Sequence, residues 1–220
     1  MNQAVENTQK EIQHVVAEVR NFDQVPDPTS LGVFGLAMVT LVASTSKLGW
    51  TSGVAYVVPW ALILGSFAQL WAAAYDFKRQ NLFGGVALGV YGLFWMGVSM
   101  HWAIAAGWFG PVPVGADPRQ LGVAFVGYGI FSFVLMLAAM EINKVLFILM
   151  IEIVVLFIGL SCAALHVGPE SAHTIAAWTE LIIAFTGFYL CSANFLNNFF
   201  KRVVLPVGGP MGIIKGASAH

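Results

Sequence analysis

The sequence predicts an all-α integral membrane protein with six transmembrane helices, cytoplasmic termini and a short amphipathic N-terminal helix. Composition is the first reason. The chain of 220 residues is 58% hydrophobic and only 10% charged, whereas a soluble domain carries about 25% charged residues to cover its surface. The second is patterning: from Leu31 to Phe200 the chain reads as apolar blocks parted by short polar gaps, each block near the ~20 residues that cross a bilayer as a helix. Barrel strands would be about 10 residues long with strict alternation, and no such alternation is present. The third is charge. Lys10, Arg20, Lys78, Arg79, Lys144, Lys201, Arg202 and Lys215 fall in the gaps on one side, against Lys47 and Arg119 on the other. Positive charge near span ends marks the cytoplasmic face.

Taken in order, residues 1–25 are a polar cytoplasmic segment. Within it Ile12, Val15, Val16, Val19 and Phe22 recur at helical spacing, the pattern of a helix lying on a membrane surface. A frayed tail is the alternative reading. Pro26 and Pro28 end this segment. The transmembrane domain occupies 26–205, with spans Leu31–Ser46, Val54–Asp76, Gly84–Ala106, Leu121–Met140, Val145–Leu165 and His173–Phe200. An outer loop, Gly107–Gln120, holds Pro111, Pro113 and Pro118. Glu141–Lys144 is short enough to force a tight antiparallel hairpin. Gly85, Gly89, Gly92 and Gly122 sit on helical faces where small residues permit close packing. Residues 206–220 form a cytoplasmic tail.

Several function classes are excluded by what the residues are. A net charge of −1 suggests no nucleic-acid partner. Cys162 and Cys191 fall near opposite faces of the membrane, too far apart to bridge. His14, His101, His166, His173 and His220 are scattered, not paired at ligand spacing, so no metal site is expected. No phosphate-binding glycine loop and no nucleophile–base arrangement is present. The expectation is a protein that is not an enzyme and carries no cofactor. Glu6, Glu11 and Glu18 stand where a signal peptide would need a basic start and an apolar core.

Polar groups inside spans are expensive and mark function or pairing. Three are ionisable. His101 and Glu180 both fall in the outer third of the bilayer and are positioned to pair. Glu152 lies about 12 Å from the inner end of span five, where a carboxyl prefers its proton unless water or a cation reaches it. Glu152 is therefore a candidate proton carrier, or else a neutral carboxyl hydrogen-bonded at a helix or subunit contact. Thr40, Ser44 and Lys47 share one face of span one, with Gln69, Asn194 and Asn197 in spans two and six. These residues line a polar path, or the hydroxyls bond back to their own helix.

Particular strings go beyond composition. Asp27-Pro28-Thr29-Ser30-Leu31-Gly32-Val33 precedes and opens span one, and Ala68-Gln69 lies in span two. Asn81-Leu82-Phe83-Gly84 opens span three, followed by Tyr91-Gly92-Leu93-Phe94-Trp95, and Val203-Val204-Leu205-Pro206-Val207-Gly208 closes the last span. In order and spacing these strings resemble the acetate uptake transporter family, which includes the succinate–acetate permeases. The resemblance covers about residues 27 to 209 and is most specific between Asn81 and Trp95.

The resemblance implies a homohexamer in the inner (plasma) membrane, each subunit with its own path for small monocarboxylates such as acetate, with succinate a further candidate. It assigns Asp27, Pro28, Thr29, Ser30, Leu31, Gly32, Gln69, Asn81 and Asn194 to the substrate pathway, and Leu36, Tyr91 and Ile153 to a mid-membrane constriction. The family's opening motif, Asn-Pro-Ala-Pro-Leu-Gly-Leu, is matched at Pro28, Leu31 and Gly32. Asp27, Thr29, Ser30 and Val33 depart from it, and Glu152 and Glu180 stand where uncharged residues are expected. The expected activity is proton-coupled uptake, with Glu152 the proton-coupling candidate. A passive channel for acetate, formate or urea, and a non-transporting sensor or scaffold, remain alternatives at this point.

Overall fold

A computed structural model of the chain describes residues 6–7, 9–13 and 26–214. Six helices in it are long and apolar enough to cross a membrane: α1 (Thr29–Lys47), α2 (Val58–Lys78), α3 (Leu82–Ala105), α4 (Arg119–Ala139), α5 (Lys144–Leu165) and α6 (Ala172–Phe200). The second span begins at Val58, because Val54–Val57 form a turn before Pro59 enters the first helical turn, where its missing N–H leaves no bond unmade. Residues 6, 7 and 9–13 are helical and Ile12 is exposed. Val15, Val16, Val19 and Phe22 of the expected amphipathic face lie outside the described residues.

Local chemistry sets the helix ends. Asn81 caps α3, accepting from Gly84 N at 3.2 Å, and Asn143 caps α5, accepting from Leu146 N at 2.8 Å. His166 and Lys201 stop α5 and α6 in the left-handed conformation. The middle of α2, Ala61–Ala68, is a π-helical stretch. Gly35 of α1 lies against it, in a place where a side chain would meet the Leu64 carbonyl.

With an even number of spans, the start of α1, the α2–α3 turn, the α4–α5 hairpin and the end of α6 share one face, here the termini face. α1 packs along α6, with Gly187 against Ala37, and α5 packs between α4 and α6. α2 lies against α1 and α3. α4 is the least enclosed helix and carries exposed Val123, Ile130, Phe133 and Val134. Past α6 the chain does not leave the bundle at once. Asn197 accepts from Val204 N and Leu205 N, and the Tyr189 hydroxyl donates to the Pro206 carbonyl. The strap then crosses to the α4–α5 hairpin, where Val145 N donates to Val207 O and Met211 N to Met140 O. There the Glu141 carboxylate accepts the consecutive N–H groups of Gly212, Ile213 and Ile214.

Candidate functional site

Two cavities lie in line within the bundle. The first, about 250 Å³, opens at the termini face and runs inward along α1, α3, α5 and α6. Its mouth is built from helix starts: Asp27 and Thr29 before and at the head of α1, Asn81 and Gly84 at α3, Asn143 and Leu146 at α5. Its wall becomes apolar with Val33, Leu149, Met150 and Leu190, and its floor reaches Leu36, Tyr91 and Ile153. The second cavity, about 240 Å³, lies beyond that floor toward the opposite face. It is lined by Phe94, Trp95, Val98 and Trp102 of α3, Leu160 of α5, and Lys47, His173 and Glu180.

The two cavities follow the same faces of the same helices. Tyr91, Trp95, Val98 and Trp102 fall at successive turns of α3, and Ile153, Phe157 and Leu160 do the same on α5. What separates the cavities is a layer of aromatic rings. Phe157 packs against Phe94 with ring centroids 5.1 Å apart and stacks on Tyr91 at 6.5 Å and Tyr128 at 5.9 Å. Phe94 in turn meets Tyr128 at 4.9 Å and Phe125 at 6.0 Å. Within this layer the Tyr91 hydroxyl shares a 2.9 Å hydrogen bond with the Ser132 hydroxyl of α4. Tyr91 is 5% exposed, its ring turned into the bundle.

At the termini mouth the negative charge of Asp27 is offset. Arg79 Nη1 lies 2.8 Å from Asp27 Oδ1, Thr29 N donates to the same oxygen at 3.0 Å, and Asn198 Nδ2 donates to Oδ2 at 3.2 Å. Partial burial works to raise the Asp27 carboxyl, but the Thr29 hydrogen bonds and the Arg79 guanidinium outweigh it and hold the group below the usual carboxylate range. The mouth-lining Asn81 also donates to the buried Asp76 carboxylate at 2.9 Å, tying α2 to the head of α3.

Of the residues expected on the path, Asp27, Thr29, Leu36, Asn81, Tyr91, Ile153 and Asn194 line the first cavity. Pro28, Ser30, Leu31 and Gly32 do not. Leu31 faces outward at 47% exposure, and Gly32 packs toward Leu88 and Ala72, because a helix turns about 100° per residue and cannot present a whole string to one side. Gln69 is buried away from both cavities, its amide donating to the Gly65 carbonyl of its own helix at 2.8 Å. Glu152 also lies off the lining. It points from α5 to α6, where the Thr186 hydroxyl donates to Oε1 at 3.0 Å, while Oε2 is buried without a partner.

The Thr40 and Ser44 hydroxyls bond back to the Leu36 and Leu41 carbonyls, and Asn197 closes the turn after α6. The expected partner of Glu180 changes: Glu180 accepts from Lys47 at 2.7 Å, not from His101. Close α1–α6 packing at Gly187 brings the end of α1 to Glu180, and Lys47 is long enough to span the remaining gap.

Sequence reasoning did not single out Phe94 and Phe157 as the layer between the cavities, nor Ser132 as the Tyr91 partner. The signal for Phe157 was available, since Ile153, Phe157 and Leu160 share a helical stripe. Ser132 becomes visible only once α4 is docked.

A sequence profile of the GPR1/FUN34/yaaH family matches residues 10–209. Among curated relatives, the succinate-acetate/proton symporter SatP of Escherichia coli K12 is 25% identical, over 84% of this chain and 96% of its own length. The glyoxylate pathway regulator of Yarrowia lipolytica is 31% identical, over 86% of this chain and 70% of its own. Among solved structures, one described as that of the bacterial acetate channel SatP superposes with a TM-score of 0.76 at 26% identity, covering 84% of this chain and all of that one.

Proposed function

Because the chain belongs to the GPR1/FUN34/yaaH family, we propose that it carries acetate and similar small monocarboxylates, with succinate a further candidate, through a path inside each subunit. It is a multi-pass protein of the plasma membrane and not an enzyme, and acetate transport in general follows from its relatives. The observation that carries the path is the pair of in-line cavities on shared helix faces, parted by one aromatic layer.

The termini mouth suits an anion. The starts of α1, α3 and α5 converge on it, and helix starts present N–H groups and the positive end of the helix dipole. Asp27 opposes this less than a bare carboxylate would, since Arg79 pairs with it at 2.8 Å. Positive charge at the span ends supports a cytoplasmic termini face. The exposed apolar face of α4 and the family resemblance support assembly of several copies, a homohexamer in our reading.

Inside the layer a bare carboxylate would lose its water and gain little in return, at a cost of several kcal/mol. A neutral acid, or an anion moving with a proton, crosses more cheaply, and this supports proton coupling. Glu152, next to Ile153, is the proposed proton carrier, and its unpartnered Oε2 supports the role. The second reading is a passive channel. It is favoured by the aromatic layer itself, which among the described residues holds two tyrosines but no carboxyl, imidazole or amine.

Radiolabelled acetate uptake by the purified protein in liposomes, with and without an imposed pH gradient, separates the readings. Uphill accumulation driven by the gradient supports the symporter. Flux that only follows the acetate gradient supports the channel, and no flux removes the transport reading. Glu152→Gln should flatten the pH dependence, and an unchanged profile takes Glu152 out of the mechanism.

A further inference from the structure

The second cavity contains a charge arrangement that the path as described does not use. Lys47, the last residue of α1, reaches across to Glu180 of α6, with its side chain 17% exposed and that of Glu180 2% exposed. The ammonium sits 5.5 Å from the centroid of the Trp102 ring, which favours a cation there. Lys47, Trp102 and His173 also line a third cavity on the same side, so the ammonium stands where the second and third meet. An ammonium has three N–H donors. Among the described residues Lys47 gives one hydrogen bond to protein, to Glu180 Oε2 at 2.7 Å. The remaining donors are available to whatever enters the cavity.

We propose that Lys47 and Glu180 form a binding subsite at the mouth opposite the termini that takes one small carboxylate together with one proton. The proposal rests on the carboxylate-transport reading and is independent of Glu152. The physical ground is charge balance. The empty pair is neutral. A carboxylate joining Glu180 on one ammonium would leave a net negative charge in an apolar cavity lined by Phe94, Trp95, Val98 and Leu160. Uncompensated charge in such a place is strongly disfavoured. One proton restores neutrality, held between the incoming carboxylate and Glu180 as two carboxyl groups share a proton at close range. No bond is broken other than the hydrogen bonds exchanged at Lys47.

His173 is the one other titratable group on the lining of these cavities. His101, beside Trp102 on α3, is not on either lining. Arg119 at the head of α4 is held by Asp117 at 2.7 Å, and His166 and Glu170 line an adjoining recess that shares Ala163 and His173 with the second cavity.

The test is a titration of the purified full chain with acetate in weakly buffered solution, reading acetate affinity and proton uptake together. The unmutated protein should take up protons as acetate binds, with affinity rising about tenfold as pH falls by one unit toward neutrality. Lys47→Gln should weaken acetate binding tenfold or more, and Lys47→Arg should recover most of it. Glu180→Gln should abolish the linked proton uptake. The double variant Lys47→Gln/Glu180→Gln removes both charges at nearly constant volume, so it guards against loss of fold from a stranded charge, and it should bind acetate at least tenfold more weakly than the unmutated protein.

Acetate binding with no proton uptake in the unmutated protein overturns the proposal and needs no variant to do so. Unchanged affinity in the double variant also overturns it. If the unmutated protein neither binds nor transports acetate, the transport reading itself fails. If it transports and the double variant matches it, only the subsite fails.

Discussion

Phe157→Ala tests the layer between the cavities directly. Phe157 is 2% exposed, and its ring touches Tyr91, Phe94, Phe125 and Tyr128. It stands between Ile153, on the floor of one cavity, and Leu160, on the wall of the other. Seven residues of helix separate those two, a rise of about 10 Å. Removing the ring should join the two cavities through the layer that parts them. Truncating a tightly packed phenylalanine costs about 3–5 kcal/mol in a soluble core. Here that cost is mostly lost contact energy, because lipid is as apolar as the bundle. The flux should rise, since a shorter dry stretch lowers the barrier. A reduction of about 1.4 kcal/mol gives a tenfold gain. Acetate flux into liposomes measures this, with a thermal-shift assay to report the fold and Phe157→Leu as a milder version. A folded Phe157→Ala protein with flux at or below the unmutated level would refute the path through this layer.

Other expectations are as specific. Gly35→Ala should lower the folded yield and the melting temperature, because the added methyl meets the Leu64 carbonyl and forces α1 from α2; about 1–3 kcal/mol of overpacking is expected. Asp27→Asn should leave the shape of the uptake profile between pH 5 and 8 unchanged. The Asp27 carboxyl is held below its ordinary 3.8, so its pairing is complete above that value and is lost only as pH falls through the lower folded value. Glu141→Ala should free the C-terminal strap and speed its removal by carboxypeptidase at neutral pH. The N–H of Ile214, outweighing burial together with those of Ile213 and Gly212, holds the Glu141 carboxyl below its ordinary 4.5. In the unmutated protein the strap should therefore stay protected above pH 4.5 and loosen only in stronger acid.

The six spans were legible in the sequence because lipid imposes a long, one-dimensional signal. A run of about 20 apolar residues with short polar gaps has few other readings, and each predicted span overlaps a helix of the structure. The site was legible only where a residue both carries a motif and faces inward. Tyr91, Asn81 and Asp27 do so. Pro28, Ser30 and Leu31 belong to the same string as Asp27 but turn away, since a motif names neighbours in sequence and a helix scatters them around its axis. Gln69 and Glu152 are polar within spans, yet neither lines a cavity: Gln69 bonds back to its own helix, and Glu152 accepts from Thr186 while its other oxygen stays unpartnered. Polarity in a span marks pairing as readily as passage. The Lys47–Glu180 pair was beyond sequence reasoning because it depends on the docking of α1 against α6, fixed by Gly187 on Ala37. A pairing rule based on depth alone selected His101 in place of Lys47.

The two mouths meet one requirement with different chemistry, and the middle explains why both are needed. At the termini face the attraction comes from partial charges, the ends of three helices, with the full charge of Asp27 offset by Arg79, a guanidinium that also lies 3.6 Å from Asp76. At the opposite face a full positive charge on Lys47 is cancelled by Glu180. Each mouth therefore holds its full positive charge against a carboxylate and offers donors without a strong positive field. A strong field would hold the anion and slow its release, whereas a conducting path needs binding that is favourable but weak. Between the mouths the rings of Tyr91, Phe94 and Phe157 offer one hydroxyl pair and no charge. A carboxylate leaving either mouth surrenders donors it cannot replace in the layer, and a proton acquired at a mouth removes most of that penalty. In the proposed carrier, proton dependence would follow from the dryness of the layer and from donors placed on both sides of it.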